Sequence, residues 1–119
     1  MDKTMVLELP EALSRADGDQ DFVLTLAELF LQESQKGAEA IRAALDRQDG
    51  AGLAAAAHKL KGSAMELCLP RLFESVKRLE ELARRGELGE ASSACADVEA
   101  RLAEAHAALR DLIAGGFPS

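Results

Sequence analysis

The stretch Ala54–Ala55–Ala56–Ala57–His58–Lys59–Leu60–Lys61–Gly62–Ser63–Ala64 decides how this chain is read. It falls in the middle of a helix whose apolar stripe runs Leu53, Ala57, Leu60, Ala64, Leu67, the spacing of a face turned toward a core. At about 100° per residue, His58 lies roughly 140° from that stripe, Lys61 about 80° and Gly62 about 180°. The histidine is therefore expected on the wetter side of the helix. A cation follows almost one turn later, with a residue lacking a side chain beside it.

That arrangement suits transient phosphorylation of an imidazole. A neutral histidine, with an ordinary pKa near ~6.5, is a competent nitrogen nucleophile at neutral pH. The phosphoryl group is an anion, and an ammonium at i+3 lies close enough to offset its charge. Gly62 leaves space above the ring for a partner to bring its phosphoryl donor close. Its cost in a helix interior, ~1 kcal/mol relative to Ala, points to a use for the gap.

Ala57–His58–Lys59–Leu60–Lys61–Gly62–Ser63–Ala64 resembles the A-H-x-L-K-G-[SA]-[SA] signature of histidine-containing phosphotransfer (HPt) domains of bacterial phosphorelays. Leu79–Glu80–Glu81–Leu82–Ala83–Arg84 is similar to the L-E-x-x-A-R segment of the family's next helix, and the likeness reaches back to Asp21–Phe22 and Leu29–Phe30. Recognisable positions span roughly residues 15–85. The resemblance implies that His58 accepts a phosphoryl group from one receiver-domain aspartate and passes it to another receiver. Lys61 would be the charge partner of the phosphohistidine and Gly62 the receiver's access. Lys59, Met65, Phe73 and Arg84 are the candidate partner-binding residues.

Some family members carry Gln where this chain has Glu80. A carboxylate there would repel a phosphoryl group unless it held the imidazole's other nitrogen, so Glu80 is not counted as a contact. Many relatives have a small residue or glycine where Cys68 stands, and often Asn where Glu66 stands. Those departures touch the end of the helix and bear on partner preference, not on the nucleophile.

With 119 residues, abundant Ala and Leu, four Phe, and neither Trp nor Tyr, the chain is expected to be one all-α domain over 1–119. Pro10 opens a short first helix ending near Asp17–Gly18. Asp19 caps a second running to about Gln48, with the stripe Phe22, Leu26, Leu29, Phe30, Gly37, Ile41, Leu45, in which Glu33 is a weak spot. Gly37 marks either a close helix crossing or a slight bend. Asp49 caps the third helix, to about Leu67; Pro70 opens the fourth, which stops near Gly86. The fifth carries Leu88, Ala91, Cys95, Val98, Leu102, Ala105, Leu109 and Leu112. Four long amphipathic helices with short connectors predict an antiparallel up-down-up-down four-helix bundle, the short first helix covering one end. Residues 1–9 read as a lead-in and 115–119 as a tail, both poorly ordered.

Net charge is −7, which disfavours a nucleic-acid partner. Residues 58–85 run against that balance, with seven basic residues to four acidic, so a locally positive surface faces an acidic partner pocket. Met1–Pro10 lacks an apolar run long enough for a signal peptide or membrane span, and two scattered cysteines make no disulfide framework. The expected setting is a cytoplasmic monomer. His58, Cys68, Cys95 and His106 match no zinc template; Cys95 reads as core and His106 as a surface histidine. No kinase, P-loop or nucleotide-binding motif is present, so the chain would be a phosphoryl carrier with no cofactor of its own, Mg²⁺ belonging to the partner receiver. That partner would be a response regulator's receiver or a hybrid sensor histidine kinase. The competing readings are an adaptor that binds a receiver or kinase without carrying phosphate, and a self-associating structural bundle.

Overall fold

A computed structural model describes residues 4–118, and among these there are helices and no strand. Five helices follow in order: α1 (Leu9–Arg15), α2 (Gln20–Asp46), α3 (Gly50–Glu66), α4 (Pro70–Arg84) and α5 (Leu88–Gly115). Helices α2 to α5 form the expected antiparallel four-helix bundle, each packed on the next and α5 returning to α2. The start signals act as chemistry requires. Asp19 accepts from the Phe22 amide and Asp49 from the Gly52 amide, satisfying donors the helices cannot. Pro70 opens α4 with the φ a first turn needs.

Helices α2, α3 and α4 all stop by the same device, a left-handed residue just past the last turn. Those residues are Gln48 (φ 53°), Cys68 (φ 57°) and Gly86 (φ 72°). In each case the next amide reaches back to close the end: Asp49 to the Ala44 carbonyl, Leu69 to Ala64 and Glu87 to Leu82. Only α4 uses glycine for this.

The core is built of small and aliphatic side chains. Ala27, Ala57, Ala64, Ala91 and Ala105 are fully buried and let the helices approach, while Leu53, Leu69, Leu72, Leu79 and Leu109 fill the space between. Burying one such leucine stabilises the fold by about 2 kcal/mol. Two expectations need correction. The inward face of α2 is Val23, Ala27, Phe30, Ser34, Ile41 and Ala44, so Phe22 and Leu29 are each left 50% exposed. Tight packing admits Ala27 and Ser34 where a pattern built on large residues chose Leu26, Leu29 and Glu33. Second, His106 is not a surface residue but 9% exposed, because α5 faces both α4 and α2 and needs a wider buried stripe. Its Nε2 meets Ser34 Oγ at 2.7 Å, and Phe30 packs edge-on to the ring.

The described parts of the two ends touch the bundle. Residues 1–3 and Ser119 lie outside the described residues, but Met5 accepts a hydrogen bond from the Arg71 amide, and the Glu8 amide donates to Cys68. Leu7, Leu9 and Phe117 pack against the core, so the described parts of the lead-in and tail are fastened by apolar contact. Gly37 is neither a crossing nor a close contact. A Cβ there would meet nothing within 4 Å, and the residue lines an open cleft between α2 and α3 with Ala40 and Ala56.

Two outcomes follow for stability. Gln48→Gly removes a side chain from a left-handed position and should raise stability by about 1 kcal/mol in urea denaturation, whereas Gly86→Ala should lower it by about as much. Burial, with Arg110 adding to it, lowers the His106 pKa below its ordinary value. The unfolded chain then takes up a proton that the folded one refuses. Stability should be full above about pH 6.5 and fall as the pH drops below it, by up to about 1.4 kcal/mol per pH unit, and His106→Gln should flatten that fall.

Candidate functional site

Helix α3 turns Leu53, Ala57, Leu60 and Ala64 inward, which fixes His58 on its outer side. The His58 side chain is 64% exposed, while that of Glu80, one helix away on α4, is only 5% exposed. Glu80 sits beside Leu79 and Ala83, on the flank of α4's buried face that looks toward α3. From there its Oε2 lies 3.0 Å from His58 Nδ1.

The same carboxylate gathers two cations. Arg84, one turn further along α4, donates from Nε at 3.0 Å and from a terminal nitrogen at 2.5 Å, both to Oε2. Lys61 brings Nζ to 2.7 Å from Oε1, an ion pair that lacks the alignment of a hydrogen bond. Burial by itself would raise the Glu80 pKa, but Lys61, Arg84 and His58 together outweigh it and hold the pKa down at about 2. At neutral pH the carboxylate is therefore ionised and can only accept. His58 Nδ1 must then be the donor, and Nε2 is the nitrogen left with a free lone pair.

The remaining candidates fall into two groups. Gly62 is exposed, with nothing within 4 Å of where a Cβ would stand, so the surface beside His58 is open. Met65 is 44% exposed, and its carbonyl at the end of α3 is capped by the Arg15 guanidinium at 2.8 Å. Lys59 lies on the other flank of α3, where it lines the α2–α3 cleft with Lys36. Phe73 is half-buried and packs against the core. The structure thus joins His58, Lys61 and Arg84 through Glu80, and leaves Lys59 and Phe73 outside that network.

Two features were missed. Glu80, set aside for its charge, is the hub; the sequence signals for it are local, its place next to Leu79 and its i,i+4 relation to Arg84, and neither reveals His58 or Lys61. The other is an apolar groove of about 240 Å³ formed by Leu26, Leu29, Phe30 and Leu67, edged by Glu33, Ser63 and Glu66. Its α2 residues had been assigned to the core. Among the described residues, no group of three or more His, Cys, Asp or Glu is placed to hold a metal, and no helix is long and apolar enough to cross a membrane.

The comparisons with known proteins bear on the fold and the family. No curated protein matches the sequence significantly. The crystal structure of histidine-containing phosphotransfer protein B (HptB) from Pseudomonas aeruginosa PAO1 is similar at a TM-score of 0.87 and 26% identity, covering 94% of this chain and 97% of that one. The Hpt domain family model matches residues 25–112, well over half the length and inclusive of every residue of the His58 network. The chain belongs to the Hpt domain family, the histidine phosphotransfer modules of phosphorelays.

Proposed function

We propose that His58 Nε2 is the phosphoryl carrier, taking the group from a receiver's aspartyl phosphate and giving it to the aspartate of another receiver. The observation that carries this is an exposed imidazole whose Nδ1 is tied to a buried, ionised carboxylate, so that its nucleophilic nitrogen is fixed and faces away from the bundle. The Nε2 lone pair forms the N–P bond while the P–O bond to the aspartate breaks, and the bonding pair leaves with that carboxylate. The receiver brings the Mg²⁺ and most of the transition-state stabilisation. This chain supplies position and charge.

Lys61 is the charge partner of the phosphohistidine. Its ammonium, with three freely rotating donors, exchanges Glu80 Oε1 for a phosphoryl oxygen while Arg84 keeps the carboxylate neutralised. Gly62 leaves room for the receiver's active-site loops. Docking uses Met65 and the apolar groove along Leu26 and Leu29, flanking α3, with Arg84 and Lys59 as charged contacts for an acidic receiver. Partners of this kind, response-regulator receivers or a hybrid sensor kinase, must be released after each transfer, so the complex is transient and the carrier works as a monomer.

Labelled phosphoryl transfer from a panel of phosphorylated receivers tests this. The wild type should acquire acid-labile label, and His58→Gln none, with stability changed by less than about 1 kcal/mol because the side chain is exposed and the Gln amide can still donate to Glu80. Lys61→Ala should slow transfer by roughly tenfold, the worth of one charge-assisted contact. Label that survives His58→Gln would place the carrier on another residue, and binding without any label would favour an adaptor; either sinks the proposal.

A further inference from the structure

The apolar groove between α2 and α3 is edged by charge of the opposite sign to the surface around His58. Lys61 and Arg84 stand beside the imidazole, whereas Glu33 on α2 and Glu66 on α3 line the groove. The fold gives neither carboxylate a close partner. Glu66 is the last residue of α3, where no basic residue stands in the final turn and the helix carbonyls already present negative charge. It has no ion-pair partner among the described residues. Arg15, which reaches the same helix end, is engaged with the Met65 carbonyl and with Glu11. Glu33 meets Lys36 only at 3.7 Å, and both side chains are more than half exposed.

The size of the groove narrows what fits. At about 240 Å³ it falls below the roughly 300–1,000 Å³ of a small-molecule pocket. A whole helix, about 10–12 Å across with its side chains, is too large for it. A single long side chain is not. Leu26, Leu29 and Leu67 suit an apolar stem, and two carboxylates at the edge call for a cationic head. Lysine and arginine combine those two properties. The groove also adjoins the surface around the nucleophile. Met65, 44% exposed, follows His58 by seven residues, which places it about 20° away round the helix and about 10 Å further along.

Resting on the docking face of the proposed function, we propose that this groove, with Glu33 and Glu66, is a socket for one lysine or arginine of the receiver, and that it selects and orients the partner. The receiver must then match two signs at once. Its acidic pocket lies over Lys61 and Arg84. Its cationic side chain lies about 12 Å further along α3, the rise of the eight residues from His58 to Glu66. A receiver turned about His58 would leave its cation outside the groove and both carboxylates unpaired. Receivers without a basic residue at that place bind more weakly, so the acidic pair sorts partners that the nucleophile alone does not distinguish.

The test measures affinity, which does not depend on transfer. The receiver that binds the wild type most tightly is titrated, unphosphorylated, against Glu33→Gln/Glu66→Gln. Kd should rise by at least about fivefold, the worth of two exposed charge contacts. Glu90→Gln/Asp111→Asn changes the net charge equally at exposed positions of α5, and should leave Kd within about twofold of the wild type. Replacing the receiver's lysines and arginines by alanine, one at a time, should find one whose loss weakens binding to the wild type by a like factor and hardly matters against the double variant. Equal or tighter binding of Glu33→Gln/Glu66→Gln, or no receiver cation coupled to the pair, overturns the proposal. Phosphoramidate, which needs no receiver, should label His58 in the double variant as fast as in the wild type. Slower labelling would trace the loss to the His58 site instead of the groove and overturn the proposal as well. Label on neither protein removes the carrier reading, while the Kd comparison still decides the groove.

Discussion

A carboxylate almost cut off from water must be surrounded by charge, and Glu80 is the residue on which the arrangement of this bundle turns. Desolvating an ion costs several kcal/mol even after relaxation, and the cost is met only where partners sit at bonding distance. Glu80 has three: an imidazole from α3, an ammonium from α3 and a guanidinium from its own helix. Two of them come from across the α3–α4 interface, so the carboxylate stays satisfied only when the helices are in one register. The buried charge therefore ties the position of His58 to the fold as a whole.

That register depends on unremarkable packing. Ala57, Ala64 and Ala83 keep α3 and α4 close, and Gly50 lets the start of α3 approach the Ala83 carbonyl, which a Cβ there would meet at 3.3 Å. Leu53, Leu60, Leu72 and Leu79 supply the apolar burial that drives association. Small residues set the spacing and leucines set the depth. Once both are fixed, an outward position on α3 and a flank position on α4 meet at about the width of a hydrogen bond.

The helices and the outward placing of His58 were legible in the sequence because both rest on local rules. Caps at Asp19 and Asp49, prolines at the starts of α1 and α4, and the i, i+3, i+4 stripe of α3 each depend on neighbours within a turn or two. What escaped depends on contacts between helices. Ser34 and His106 are 72 residues apart, and either alone looks like a surface residue. Each is tolerable inside only because the other satisfies it. Glu80 escaped for the same reason: a carboxylate reads as repulsive to the expected phosphoryl group until Nδ1, Lys61 and Arg84 are seen to share it. The left-handed ends at Gln48 and Cys68 were hidden because neither is glycine, whereas Gly86 announced itself.

If His58 carries the phosphoryl group as proposed, the charge at the site also changes in the direction a carrier needs. With a neutral ring, Lys61 and Arg84 outnumber Glu80, so the empty site is positive and attracts an acidic receiver. Once Nε2 bears a phosphoryl group of charge about −1.5 to −2, and Nδ1 keeps its proton, the cationic ring and the two basic side chains come close to balancing phosphoryl and carboxylate. The loaded site is then nearly neutral and loses part of its attraction for the receiver that has just been emptied. The carboxylate that looked like a liability for binding phosphate thus favours letting go, which is the step a relay cannot do without.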